Sequence, residues 1–481
     1  MRRLPACLSL LLVAPASAAA DAGAAPFGHA AEIVRQAAEA LGGEGRLSAL
    51  ESVSYAYEGR VSVAHQGRTI DAPEVFDYRQ SVQATFSPLR IRSVSAFGGA
   101  GETAFEDVSY LDGERSSTQR EIARALRASP HALVRHLLDN PRNAVLVDET
   151  VTEFRLAARF HGELVLLHIG RDDGLLRKVV RVFDDVRHGD SAAVLEFTGY
   201  EQRDGWAVPK GLRSSEAGLR VIDTTFSQYR LAQIAPDELR APETEAGPAD
   251  PGSSSPRKAD DPELGDGITL LRNSGGFDYH SLLISTPAGA ILIEAPGTVD
   301  DGKAVVLRAR RATASPLRYI AATHHHGDHS GGIAGAAFDG ARLVAARAET
   351  PFFRDLLAAE RNFARARHVP ASDLTIEDVP PGGNLEILGR VIAIDAGPSG
   401  HSDAHLVYWV PDAGVLFQTD MAVFRWDGSV EPARAQTCLL RAFIRERQLE
   451  VRTIAGGHGR PGTLADLDQA IALREGGCPG G

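Results

Sequence analysis

Four histidines crowd into six positions in the tract Thr323, His324, His325, His326, Gly327, Asp328, His329, Ser330, Gly331, Gly332. Imidazole nitrogens and a carboxylate, with no thiolate nearby, suit a borderline divalent cation such as zinc. Side chains two apart in an extended segment face the same way, so His324 and His326 point together. Asp328 and His329 lie past the turn and reach toward a neighbouring position. Imidazoles packed this densely repel one another on protonation unless a cation organises them. The tract follows an apolar run at 318–322 and opens toward a helix after its glycine pair. Such a strand-to-loop junction can aim several side chains at one point.

Three later places extend the pattern: Gly397 to Asp403 (with His401) before an apolar run at 406–409, Leu416 to Asp420, and Gly456, Gly457, His458, Gly459. With these motifs in this order, the chain over about residues 264–475 resembles the metallo-β-lactamase superfamily of binuclear metallohydrolases. The resemblance implies an αββα sandwich and two Zn2+ ions, with iron or manganese as possible substitutes. By the same resemblance His324, His326 and His401 bind the first metal, Asp328, His329 and His458 the second, and Asp420 lies between them. A hydroxide shared by the cations would attack the substrate, with Asp328 as the catalytic residue that holds or accepts the water proton. His405 lies four residues from His401, but the Gly-His-Ser context favours His401 as the ligand. His325 is expected at the mouth or just behind the ligands. Glu294 either orients a ligand histidine or caps a strand end. The pocket is expected to be lined by the loop after Asp420 (Val423, Phe424, Arg425, Trp426) and by residues 352–370. Arg425 either pairs with a substrate anion or packs on the surface, and Trp426 either stacks on substrate or does likewise.

The elements that must hold these residues differ between the two halves. Downstream, strand-like runs at 268–271, 281–285, 290–294, 319–323, 342–345, 391–395, 406–410 and 415–418 alternate with helical stretches near 303–312, 350–367, 432–447 and 465–474. That alternation implies a layered α/β domain. Upstream, a helix at 29–41 ends at Gly42 and Gly43. It is followed by short strands, among them 53–63, 154–160, 164–169, 178–183, 193–200 and 220–229. Turn signals punctuate them, such as His65, Gln66, Gly67. A helical insertion at 121–139 carries Pro130 and reads as two short helices. The expectation is a mostly antiparallel β domain with a few helices, whose topology resembles the half-barrel of bacterial lipoprotein-carrier proteins. No catalytic motif is visible there, and its histidines (131, 136, 161, 168 and 188) read as packed or solvated.

The 481 residues, 43% hydrophobic and 24% charged with net charge -12, fit an ordinary globular protein of two or three domains. The acidic balance argues against a nucleic-acid partner. Residues 1–20 read as a secretory signal: Arg2 and Arg3, a short apolar stretch, then Ala16, Ser17, Ala18 or Ala18, Ala19, Ala20. No later stretch reads as a transmembrane helix. Residues 21–235 form the β-rich domain, 236–263 a Pro-, Ser- and charge-rich linker, and 264–481 the metal-binding domain. Only Cys438 and Cys478 lie beyond the leader, and pairing or free thiols remain open.

Within the resembled family, Asp420 excludes enzymes with a bridging cysteine, and His326 argues against the redox di-iron kind. The reading is therefore a periplasmic or secreted zinc-dependent hydrolase acting on a small molecule, an ester, lactone, thioester, or sulfate or phosphate ester. Its alternatives are a β-lactam hydrolase, or a non-catalytic apolar-ligand binding protein with a relic metal domain. Oligomeric state is not legible.

Overall fold

The computed structural model describes residues 25–98, 105–112, 119–231, 234–241, 261–275, 278–337, 340–363 and 375–478. The leader-like tract 1–20 and linker residues 242–260 lie outside these.

The upstream half is organised by one eleven-stranded antiparallel sheet. Its first strand, Ser52–Val63, pairs with Glu74–Phe86 on one side and with the last strand, Leu219–Arg230, on the other, so the two ends of this half meet inside the sheet, whose edges are Phe105–Asp112 and Ala144–Glu149. The helix Ala25–Leu41 buries Ile33, Val34, Ala37, Ala38 and Leu41, the stripe its 3.6-residue period dictates. The insertion is indeed two helices, Gln119–Leu126 and Pro130–Asp139, the second started by the Ser129 cap with proline in its first turn. Five strands of this sheet were not among those read from the sequence: Glu74–Phe86, Leu89–Gly98, Phe105–Asp112, Ala144–Glu149 and Gly211–Glu216. Part of the reason is that the first three supply Gln80, Ser93, Ser95 and Ser109 to a cavity of about 790 Å³, which blurs the apolar alternation. Tyr55, Tyr57, Arg127 and Arg181 also line that cavity.

Residues Pro236–Leu239 form a 3₁₀ turn with Leu239 buried, and the Pro236 carbonyl accepts a bond from Arg90 Nη1 at 3.2 Å. Glu263–Gly265 pairs with Ile268–Leu271.

Downstream, a seven-stranded and a five-stranded sheet stack face to face. Ile291, Ile293, Tyr408 and Phe417 fill the space between them. Helices Val299–Ala312 and Thr350–Ala358 cover the outer face of the first sheet, and Ala435–Glu446 and Leu464–Leu473 that of the second. This is the expected αββα sandwich. Parallel pairing of Gly289–Ile293, Leu317–Ala321 and Arg342–Ala346, and of Val415–Gln418 with Thr453–Gly456, brings several carboxyl ends of strands to one rim. Cys438 and Cys478 are joined in a disulfide.

The helix expected over 350–367 stops at Ala358 because the chain turns to meet the upstream sheet. Arg361, 5% exposed, donates to the Val186 carbonyl at 2.6 Å and pairs with Asp184 at 2.9 Å. Asp190 N donates to the Glu360 carbonyl at 2.9 Å. Gly189 sits at φ +69°, and a Cβ there would lie 2.2 Å from that carbonyl, so the contact requires glycine. Counting alternations across the sheet, Ser52–Val63 and Leu176–Asp185 run the same way, which puts their hairpin tips on one edge. Both tips dock on the downstream half.

Candidate metal centre

Each expected ligand follows a strand end or lies in the loop beyond it. His324, His326, Asp328 and His329 come after Leu317–Ala321, with Asp328 and His329 on the single turn Gly327–Ser330. His401 lies in the loop between Val391–Asp395 and Leu406–Val410. Asp420 follows Val415–Gln418, and His458 follows Thr453–Gly456. Ligands of open α/β sheets gather outside the carboxyl ends of strands, where backbone and side chains converge.

The structure brings all seven residues together in three overlapping groups whose donor atoms lie within 4.8 Å of one another. These are His324, His326 and His401; His324, His329 and Asp420; and Asp328, His329 and His458. Asp420 Oδ2 stands 2.8 Å from His329 Nε2, 3.5 Å from His401 Nε2 and 3.6 Å from His324 Nε2, while Oδ1 is 3.4 Å from His458 Nε2. The other ring nitrogens are held from behind. His329 Nδ1 meets Glu294 Oε2 at 2.8 Å, His458 Nδ1 the Asp278 carbonyl at 3.0 Å, and His324 Nδ1 the Thr323 hydroxyl at 3.0 Å. His324 Nε2 and His326 Nδ1 are buried with no hydrogen-bond partner. Buried polar atoms are almost always satisfied, so orphaned atoms aimed at one point fit a cation.

The electrostatics agree. Burial, with the imidazoles around it, drives the His324 pKa well below its ordinary value, and burial with His401 takes His326 down to about 3. These are the neutral rings a metal needs. Burial works against an ionised Asp420, yet His329 and His458 hold its carboxyl well below the usual range. Against burial, Asp420, Glu294 and Asp328 raise His329 well above the usual imidazole value. This is an excess of negative charge around a buried point.

Glu294 does both things expected of it. Its Oε2 orients His329, while Oε1 accepts Thr323 N at 2.8 Å and ties two strand ends. It adopts φ +70°, and Asp420 φ +58°, sparsely populated for non-glycine residues and found where a site over-determines the backbone. His405 is fully buried and stacked on His324 at 4.9 Å, behind the donors, while His401 is among them. His325 is not at a mouth: it is fully buried, bonded through Nδ1 to Glu349 Oε1 at 2.7 Å.

Arg425 is exposed and paired with Glu431, its Nε 3.0 Å from Oε1. Trp426 donates to Asp278 Oδ1 at 2.8 Å and lies under the Arg272 guanidinium at 3.7 Å. Of the expected lining at 352–370, Phe352, Phe353, Leu356 and Leu357 are core, and 364–370 lie outside the described residues.

Sequence reasoning missed the upstream half's contribution. Gln66 Nε2 donates to Asp328 Oδ1 at 2.9 Å, and His326 Nε2 meets the Gly67 carbonyl at 2.9 Å. The only sequence signal was a turn at His65, Gln66, Gly67. Nearby, His65, Asp185 and His188 form a fourth group of metal-type donors. Its Asp185 Oδ1 already accepts from Arg187 N and His188 N at 3.0 and 2.8 Å and meets both imidazoles, so it works as a hydrogen-bond hub between hairpin tips.

The family model of the metallo-beta-lactamase superfamily matches residues 274–458. Comparison with curated proteins returned no match. Among solved structures, the chain is similar to the metallo-beta-lactamase FIM-1 from Pseudomonas aeruginosa in its mono-zinc form, at 18% identity over 44% of this chain and 92% of that one, TM-score 0.34. A metallo beta lactamase from Erythrobacter litoralis with beta mercaptoethanol in its active site gives 20% identity over 44% and 94%, TM-score 0.33. Rubredoxin oxygen:oxidoreductase from Desulfovibrio gigas gives 14% identity over 44% and 60%, TM-score 0.33. All seven converging donors at the strand ends lie within the stretch, residues 274–458, that matches the family model of the metallo-β-lactamase superfamily.

Proposed function

We propose that the chain is a periplasmic or secreted zinc-dependent hydrolase that cleaves an ester, lactone, thioester, or sulfate or phosphate ester of a small molecule. The observation that carries this reading is the pair of orphaned, buried nitrogens on two residues of one donor group, His324 Nε2 and His326 Nδ1. His324, His326 and His401 would hold one cation, Asp328, His329 and His458 a second, with Asp420 between them. When bound, paired divalent cations supply an acidified water and charge stabilisation for the oxygen that gains charge. The chain's own residues do the rest. Asp328 has Oδ1 fixed by Gln66, which leaves Oδ2 to hold the water's proton. Glu294 keeps His329 turned with Nε2 inward, and Thr323 and Thr419 do the same for His324. Trp426 and Arg425, on the loop after Asp420, are the proposed substrate contacts.

Export is supported by the leader-like residues 1–20 and by the Cys438–Cys478 disulfide, which persists in an oxidising compartment. Among the described residues no helix is long and apolar enough to cross a membrane. The second reading, a binding protein with a relic metal domain, is favoured only by the upstream cavity of about 790 Å³. A relic has no need to keep seven converging donors.

Metal analysis of the purified chain, with turnover on chromogenic esters, lactones, sulfates, phosphodiesters and a cephalosporin, tests the proposal. Two zinc ions per chain and turnover lost in His326→Ala are expected. One iron per chain would overturn it in favour of oxygen chemistry. No metal would overturn it in favour of the binding protein, and full turnover in the variant would remove the assigned site.

A further inference from the structure

Three successive residues of one upstream loop each meet a ligand-bearing segment of the other half. The loop, residues 64–73, joins Ser52–Val63 to Glu74–Phe86. Gln66 takes Asp328 Oδ1, the Gly67 carbonyl takes His326 Nε2, and the Arg68 carbonyl accepts Asp403 N, two residues past His401, at 2.8 Å. We propose that this loop is a working part of the metal centre: it sets the tautomer of His326 and the rotamer of Asp328, with Gln66 as a positioning residue for the second metal.

The argument is one of donors and acceptors. A carbonyl only accepts, so His326 must carry its proton on Nε2, and the lone pair then sits on Nδ1. Nδ1 is the buried atom without a partner, on a residue that shares one donor group with His324 and His401. A carboxylate likewise only accepts, so the Gln66 amide donates through Nε2 and occupies Asp328 Oδ1. That leaves Oδ2, 3.5 Å from His329 Nε2, on the side of the second donor group. Hydrogen bonds of this kind behind metal ligands fix ring and carboxylate orientation.

The loop is also braced for the task. A Cβ on Gly67 would fall 2.1 Å from the Ala72 carbonyl oxygen, so the turn closes that tightly only on glycine. His65 Nε2 bonds Asp185 at 3.1 Å, Arg187 Nη1 takes the Ile70 carbonyl at 3.2 Å, and Ile70 packs against the core around helix Thr350–Ala358. A fixed carbonyl and a fixed amide therefore face the ligands.

The inference rests on the metal reading, and the test separates the two. The full-length apo chain is titrated with Zn2+ against a chromophoric chelator, alongside Gln66→Ala and Gln66→Met; methionine keeps the length and apolar packing but not the donor. Wild type should bind two zinc ions. Both variants should bind the first with unaltered affinity and the second about 10–100-fold more weakly. Gly67→Ala, which must shift the loop, should weaken the first as well. Unaltered affinity for the second ion in either Gln66 variant overturns the proposal, as does equal loss at both sites accompanied by a lowered melting temperature. A wild-type chain that binds no zinc overturns instead the metal reading beneath it, and does so before any variant is measured.

Discussion

The two halves of this chain carry their information differently. The downstream half writes its chemistry in short motifs at strand ends, where His324 to His329 deliver four donors within six positions. The upstream half has no motif, and its contribution to the same centre comes from hairpin tips whose residues are unremarkable in sequence. Gln66 and Asp328 are 262 positions apart yet share a hydrogen bond. A motif can be read because its partners are local, whereas a contact made by docking depends on how two sheets come to rest.

Three outcomes break or sharpen that contrast. The largest effect should follow Asp420→Ala, since its carboxylate lies against four imidazoles. Zinc content should fall below two per chain and turnover by more than about a hundredfold, exceeding what loss of a supporting contact costs. The far-ultraviolet signal of the upstream sheet should stay unchanged. Zinc stoichiometry that stays at two would end the bridging role.

Next in size is an acid sensitivity belonging to the upstream half. His131 is fully buried against Tyr229, its Nδ1 2.9 Å from the phenol oxygen, and burial pushes its pKa down to about 3. An unfolded histidine titrates near ~6.5. The folded state therefore binds fewer protons between those values. Its contribution to stability is complete above pH ~6.5 and is lost as pH falls toward ~3, by on the order of 1.4 kcal/mol per unit. Urea unfolding monitored across that range should show a shallower acid slope in His131→Phe than in wild type. Identical slopes would mean that this ring does not titrate on unfolding.

The smallest effect is expected at Arg68. Its guanidinium pairs with Asp403 at the seam between the halves, but both side chains are substantially exposed. Exposed pairs contribute about 0–1 kcal/mol. Arg68→Ala should therefore lower stability by no more than ~1 kcal/mol and leave the second zinc far tighter than Gln66→Ala does. Equal losses in the two variants would move the effect from the buried amide to the surface ion pair.

Legibility followed the range of the interactions. The αββα order and the loops in which the grouped donors lie were readable, because apolar runs and Gly-His contexts are local patterns. Strand Glu74–Phe86 was not, since its inner face meets a partly polar cavity and carries Gln80 where a core strand would carry an aliphatic residue. The end of helix Thr350–Ala358 was misjudged because Arg361 leaves the helix to fill carbonyls of the other half. His325 was expected at the mouth or just behind the ligands, and only the packing against Glu349 decides for the second, because nothing in its neighbourhood announces that partner.

What the sequence determined by itself was the inventory: neutral-nitrogen and carboxylate donors, no thiolate among them, each placed beyond an apolar run that must become a strand. That much follows from residue type and period, which are properties of a few adjacent positions. Tertiary structure alone decided which nitrogen of each ring faces inward, that Glu294 and Glu349 stand behind His329 and His325, and that a loop of the first half supplies Gln66 and the Gly67 carbonyl. These are hydrogen bonds between groups far apart in the chain, and directional bonds exist only once packing has brought donor and acceptor within about 3 Å of each other.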